Sequence, residues 1–162
     1  MVKHFIDLSD FKKKELREIL NFAKKIKKNP IKYSNLLKFK SLAMIFEKQS
    51  TRTRLSFAIG VKKLGGDFIE INKNDVGFGT RESNYDLIKV FSQYTDGLVI
   101  RSKQHSTIQE LANLNIMPII NGLSDFSHPC QILSDMLTIN EKIGNIKNKQ
   151  ITWIGDYNNV LR

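Results

Sequence analysis

Ser50-Thr51-Arg52-Thr53-Arg54 interleaves three hydroxyls with two guanidiniums. The segment follows the apolar run Ser41–Phe46 and opens a helical pattern over 51–64. A helix N-terminus presents unpaired N–H groups and a partial positive charge. Arginine adds a planar donor fork that matches phosphate oxygens in bidentate fashion. The combination reads as an oxyanion or phosphate site; the plainer alternative is a capped helix start with two surface arginines. No GxxxxGK[ST] string occurs, and no GxGxxG follows a strand, so neither common nucleotide-binding loop is present. Gly77-Phe78-Gly79 lies in a polar loop instead.

Two further positions could join that site. Arg101 ends the apolar run Gly97–Arg101, where a charge at a strand end faces the crevice of an open sheet. His128-Pro129-Cys130-Gln131 opens a long helical pattern. An imidazole near a helix N-terminus resists protonation, so a neutral His128 can donate to a carbonyl oxygen. Gln131 lies about one turn further on. Cys130 reads as a packed thiol. Three histidines and one cysteine give no metal-ligand spacing.

These residues need a scaffold, and the hydrophobic pattern supplies one. Strands are expected at 41–46, 67–71, 97–101, 117–121 and 150–155. Helices are expected at 51–64, closed by Gly65-Gly66, then at 83–94, 106–114 and 129–143. Ser106 or Thr107 is expected to cap the third of these, and Gly144 to end the fourth. Leu55, Ala58 and Ile59, and Leu87, Val90, Phe91 and Tyr94, are expected to face inward. Alternating strands and helices indicate an α/β fold with a doubly wound parallel sheet and flanking helices.

The chain has 162 residues, 41% hydrophobic and 26% charged, enough for one core. One cysteine excludes an internal disulfide framework, and no apolar run is long enough for a membrane span. A cytoplasmic protein is the expectation. Net charge is +10, but residues 1–40 carry 12 Lys+Arg against 4 Asp+Glu while 41–162 carry 14 against 12. Most of the excess therefore sits on a helix expected from a Ser9 or Asp10 cap to about Lys28. Phe11, Leu16, Ile19, Leu20, Ala23 and Ile26 form its apolar stripe. Ile, Lys and Asn make up 54 of the 162 residues, all with AT-rich codons, so compositional bias accounts for much of the charge. A nucleic-acid surface is the weaker alternative, since no aromatic interleaving accompanies the lysines.

Ser50-Thr51-Arg52-Thr53-Arg54 together with His128-Pro129-Cys130-Gln131 resembles the aspartate/ornithine carbamoyltransferase family. The stretch Ile119–Leu133 and the segment Trp153-Ile154-Gly155-Asp156-Tyr157-Asn158-Asn159-Val160 look like its ornithine branch, and the cysteine at 130 favours that branch. The likeness runs from about Leu8 to Leu161. It implies a two-domain enzyme, usually a trimer with active sites at subunit interfaces, using no metal or organic cofactor. Residues 1–147 would be the carbamoyl-phosphate-binding domain and 148–162 the start of the ornithine-binding domain. By the family's pattern Ser50, Thr51, Arg52 and Thr53 hold the phosphate. Arg101 and His128 polarise the carbamoyl oxygen and act as catalytic residues, Gln131 binds the carbamoyl amide, and Asn159 contacts ornithine.

The sequence departs from that pattern in places. The family's Ser-Met-Gly and His-Cys-Leu-Pro motifs do not occur in it. Gly77 stands where a Gln or His normally reaches a neighbouring subunit, Asp86-Leu87-Ile88-Lys89 replaces an Asp-Thr-Ala-Arg run, and Tyr157 replaces a glycine. The expectation is a truncated chain that binds carbamoyl phosphate and lacks transfer activity alone. An active enzyme completed by a separately encoded C-terminal half, and a basic nucleic-acid-binding module, are the alternatives. Ile151, Trp153 and Ile154 are expected to be exposed for want of a sheet.

Overall fold

The computed structural model describes residues 2–72, 74–77, 81–144 and 147–160. Four parallel strands, β1 (Ser41–Phe46), β2 (Asp67–Ile71), β3 (Gly97–Arg101) and β4 (Ile119–Leu123), form one sheet in the order β2-β1-β3-β4. Five α-helices accompany them: α1 (Lys13–Lys28), α2 (Thr51–Lys63), α3 (Asn84–Tyr94), α4 (His105–Asn113) and α5 (Pro129–Ile143). The chain steps from β1 to β2 on one side and returns to place β3 on the other. The carboxyl ends of β1 and β3 are therefore neighbours at the point where the winding reverses, with Phe46 opposite Arg101. Such a crevice is where open α/β sheets take ligands.

Alternation along the central strands builds two cores. Ala43, Ile45, Leu98, Ile100 and Ile119 face Leu87 and Ile88 of α3 and Ile108, Leu111 and Ala112 of α4. Met44, Phe46 and Val99 face the other way, onto Val61 of α2 and the partly buried Leu37, Phe57 and Phe68. Both faces being covered, the strands read as nearly continuous apolar runs. The N-terminal segment shields the β4 edge, with Phe5 N–H donating to the Ile119 carbonyl (2.8 Å) and the Phe5 carbonyl accepting from Asn121 N–H (2.8 Å).

The doubly wound sheet is as expected, but several details differ. No strand forms over 150–155, where Ile151, Trp153 and Ile154 are exposed. A strand exists only through a paired neighbour, and apolar alternation cannot report whether one is available. The basic helix begins at Lys13, not at a Ser9 or Asp10 cap. Asp7 instead accepts Ser9 N–H (2.9 Å) and caps a short 3-10 turn, and Phe11 leaves in an extended conformation with its ring 5.2 Å from Phe5. None of the α1 stripe is fully buried. Lys24 bonds Asn140 and Lys27 pairs with Glu141 (2.6 Å), so part of the positive charge ties α1 to α5.

On α2, Ala58 and Val61 are buried while Leu55 and Ile59 are exposed. On α3, Leu87 and Ile88 are buried while Val90 and Tyr94 are exposed. In both cases the helix contacts the sheet along a stripe rotated by about one residue from the expected one. Gln104 rather than Ser106 or Thr107 precedes α4, and β4 runs two residues later than expected. The loop over 72–82 includes residues 73 and 78–80, which lie outside those described, as do residues 161 and 162 at the end of the family likeness.

The turn after α2 behaves as its glycines suggest. Gly65 has φ +82°, and a β-carbon there would lie 2.3 Å from the Ser34 carbonyl oxygen. Gly65→Ala is expected to cost about 2 kcal/mol, from left-handed strain plus a backbone collision. A thermal melt should show a fall of roughly 6 °C. An unchanged melting temperature would mean this turn does not pack against Ser34 in solution.

Candidate anion site at the strand ends

β1 and β3 deliver the first contacts. Ser50, buried at the α2 N-cap, does not cap its own helix. Its hydroxyl instead accepts from Arg101 Nη1 at 2.9 Å. The first-turn amides of α2 therefore have neither a side-chain cap nor intrahelical partners. Arg101 Nε is buried without a partner, and burial lowers the guanidinium's pKa from its usual value.

β4 delivers the second half. Its strand ends at Leu123, and the turn Ser124–Ser127 sets His128 at the α5 N-cap, again without a side-chain cap. The turn is held tightly: Ser127 N–H donates to Ser124 Oγ (3.2 Å), and Asn121 Nδ2 donates to the Ile6 carbonyl (2.9 Å) and reaches Ser127 (3.4 Å). His128 is buried, and its Nδ1 has no partner. Burial first, then the Arg101 charge, hold its pKa below the ordinary imidazole range, against an opposing pull from Asp135.

The two halves meet in a cleft of about 190 Å³ lined by Arg52, Thr53, Ser56, Phe57, His128, Cys130, Gln131 and Ser134. The structure thus brings Arg52, Thr53, His128 and Gln131 together, with Arg101 acting electrostatically on His128. Gln131 Nε2 donates to Asp135 (2.9 Å), which leaves the amide oxygen as the available acceptor. Thr51 lies outside this cleft, in a neighbouring one of about 370 Å³ with Gln49, Ser50, Arg54 and Leu55. Arg54 pairs with Glu70 (2.9 Å) and sits over the Phe46 ring, so its charge is already compensated. Asn159 donates to the Ser124 carbonyl beside the turn and does not line the cleft.

Some lining residues escaped the motif reading. Ser56 and Ser134 lie three and four residues beyond Thr53 and Cys130, a helical turn that would have placed them on the same faces. Cys130 is a packed thiol, pushed up by burial to about 11. Among the described residues no cluster of side chains could hold a metal ion. No helix among them is long and apolar enough to cross a membrane.

Burial also lowers the pKa of His4. Both histidines therefore bind fewer protons folded than unfolded, below an unfolded value of about 6.5. Stability is then expected to fall as pH drops from about 6.5 through the lowered folded values. Asp7, Glu15, Asp67 and Asp96, all lowered, act only in the carboxylate range below that window. Urea midpoints at pH 7.5 and 5.5 check this. A midpoint that rises on acidification would contradict the burial of a neutral His128.

The sequence profile described as "Aspartate/ornithine carbamoyltransferase, carbamoyl-P binding domain" matches residues 3–141. Ornithine carbamoyltransferases of Archaeoglobus fulgidus and Brucella ovis are 43% and 46% identical over 98% and 99% of the chain, each covered over 52% of its own length. The structure of the Pyrococcus furiosus ornithine carbamoyltransferase superposes with a TM-score of 0.92 at 42% identity, over 98% of this chain and 51% of that one. The Campylobacter jejuni anabolic enzyme gives 0.88 at 38% identity, over 98% and 52%. The chain spans about half the length of the curated relatives it matches. On the profile, the identities and the shared fold, the chain belongs to the ornithine carbamoyltransferase family and corresponds to its N-terminal, carbamoyl-phosphate-binding half.

Proposed function

We propose that this chain binds carbamoyl phosphate at the α2 and α5 N-termini and supplies the carbamoyl-phosphate side of carbamoyl transfer to ornithine. The observation that carries the reading is the pair of buried, unpartnered nitrogens, Arg101 Nε and His128 Nδ1, beside a cleft containing Arg52 and Thr53. Buried polar atoms without partners are rare in folded proteins and suit an arriving ligand. In this reading Ser50, Thr51, Arg52, Thr53 and the α2 amides hold the phosphate. The Gln131 amide oxygen accepts from the carbamoyl NH₂.

The chemistry follows from the placement. An uncharged ornithine side-chain amine attacks the carbamoyl carbon, and negative charge gathers on the carbonyl oxygen. Arg101, Thr53 and neutral His128 stabilise that charge as preorganised donors. The C–O bond to phosphate then breaks, the phosphate leaves against Arg52 and the helix dipole, and the amine proton passes to phosphate or solvent. Citrulline and phosphate are the products, and neither a metal nor an organic cofactor takes part. Positioning and electrostatics carry the rate.

The ornithine-binding residues belong, in this reading, to the half of the relatives that this chain does not match. Asn159 would join them after releasing Ser124. Turnover then requires that second half, with assembly as a homotrimer as one arrangement. The test is calorimetry with carbamoyl phosphate alongside a citrulline assay. Single-site binding heat without citrulline from the chain alone is expected. Folded protein that gives no heat at millimolar carbamoyl phosphate would remove the reading.

A further inference from the structure

Glu47 follows β1 directly and lies beside the site without lining the cleft. Its backbone N–H donates to the Arg101 carbonyl (3.0 Å). Its Oε2 accepts from the Lys103 N–H (2.6 Å) and the Ser102 hydroxyl (2.8 Å). The same Ser102 oxygen accepts from Gln104 N–H (3.2 Å). One residue therefore grips three consecutive residues of the β3 end, across about 55 positions of sequence.

The grip matters because the opposite flank is irregular. Between β3 and β4 the register shifts at Ile100/Arg101, so Arg101 faces Leu123 and Gly122 is passed over. Support for Arg101 comes from the β1 side, where Phe46 is its register partner and Glu47 follows. Glu47 comes one residue after Phe46, the register partner of Arg101, so strand alternation turns its carboxylate to the opposite face, toward Ser102. Here the carboxylate is directed to an amide and a hydroxyl, while among the described residues Arg101 makes no ion pair and donates to Ser50 instead.

We infer that Glu47 is a positioning residue for the anion site: its carboxylate clamps Ser102 and Lys103, so that Arg101 is held against Ser50 with its charge left for a ligand. The inference rests on the anion-site reading proposed above. Charge-assisted bonds to a carboxylate are short and directional, which suits a clamp. Misplacing a binding group by a fraction of an ångström is enough to lose much of its effect.

The test compares wild type, Glu47→Gln, Glu47→Ala and Ser102→Ala, each confirmed folded by circular dichroism and thermal melting. Glutamine keeps one acceptor oxygen; alanine keeps none. Calorimetry with inorganic phosphate and with carbamoyl phosphate should show about tenfold weaker binding for Glu47→Ala and about threefold for Ser102→Ala. Glu47→Gln should recover most of the loss. The Arg101 Nε–H resonance, assigned by its disappearance in Arg101→Lys, should be dispersed and slow to exchange in wild type and Glu47→Gln. In Glu47→Ala it should merge with those of exposed arginines.

A folded Glu47→Ala with wild-type affinity and an unchanged Arg101 resonance would overturn the clamp. So would a Glu47→Gln as weak as Glu47→Ala, because charge rather than bonding would then be responsible. If Glu47→Ala does not fold, Ser102→Ala decides by the same two readouts. If wild type binds neither ligand while the Arg101 resonance still responds to Glu47→Ala, the anion-site reading fails and the clamp stands.

Discussion

Replacing Arg101 with methionine is expected to weaken carbamoyl phosphate binding on the order of 100-fold while leaving the domain folded. Methionine keeps the apolar stem of a partly buried side chain and removes the guanidinium. The lost bonds to a dianion are charge-assisted, and losing about 3 kcal/mol of them corresponds to that factor. Stability should not suffer, because a buried charge with an unpartnered Nε is itself unfavourable. The measurement is paired calorimetry and urea denaturation. A variant that binds like wild type would place the ligand away from the strand ends. One that loses binding only because it unfolds would show a lowered urea midpoint.

The second large effect concerns the scaffold. Ile100 is fully buried on the central strand β3, one residue before Arg101, in the core beneath α3 and α4. Ile100→Ala leaves a cavity and is expected to cost about 3 to 4 kcal/mol. That is a large share of a total stability of about 5–15 kcal/mol. A melting temperature lower by roughly 10 °C is the expected readout. A change of only a degree or two would mean that the two-sided sheet is not the cooperative core of the molecule. Because Ile100 directly precedes Arg101 on β3, carbamoyl phosphate affinity is expected to fall along with stability in this variant, unlike in Arg101→Met.

How much of this was legible in the sequence depends on the distance over which each feature is decided. Strand β1, helix α2 and the Ser50–Arg54 turn are written locally, by an apolar run followed by hydroxyls and arginines, and the structure places them as read. The meeting of Arg52, Thr53, His128 and Gln131 in one cleft depends on winding order, which the alternation of elements already implied. Helix faces were harder. Leu55, Ile59, Val90 and Tyr94 are apolar but exposed, because periodicity identifies a stripe without saying how far the neighbouring sheet extends to cover it. The segment 150–155 shows the same limit for strands. The roles of Arg54 and Glu47 were invisible for another reason. Each is defined by a partner far along the chain, Glu70 in one case and Ser102 with Lys103 in the other, and nothing local distinguishes a compensated charge from a free one.

The charge pattern changes meaning in the same way. The lysines of α1 suggested either bias or a nucleic-acid surface. Lys24 and Lys27 are bonded to α5, and Lys3 of the N-terminal segment pairs with Glu15 on α1 (2.8 Å), so these charges hold the N-terminal elements in place. At the strand ends, Arg52 lines the cleft and Arg101 donates to Ser50 beside it.

In the proposed function, β1, β3 and β4 deliver one carbamoyl phosphate site at the winding reversal. Amide chemical-shift mapping during titration with carbamoyl phosphate tests it most directly. The largest shifts are expected at the Thr51, Arg52 and Thr53 amides, at the Arg101 side chain and over His128–Gln131, with α1 unmoved. Shifts confined to the lysines of α1, or none at millimolar ligand with the protein folded, would contradict it.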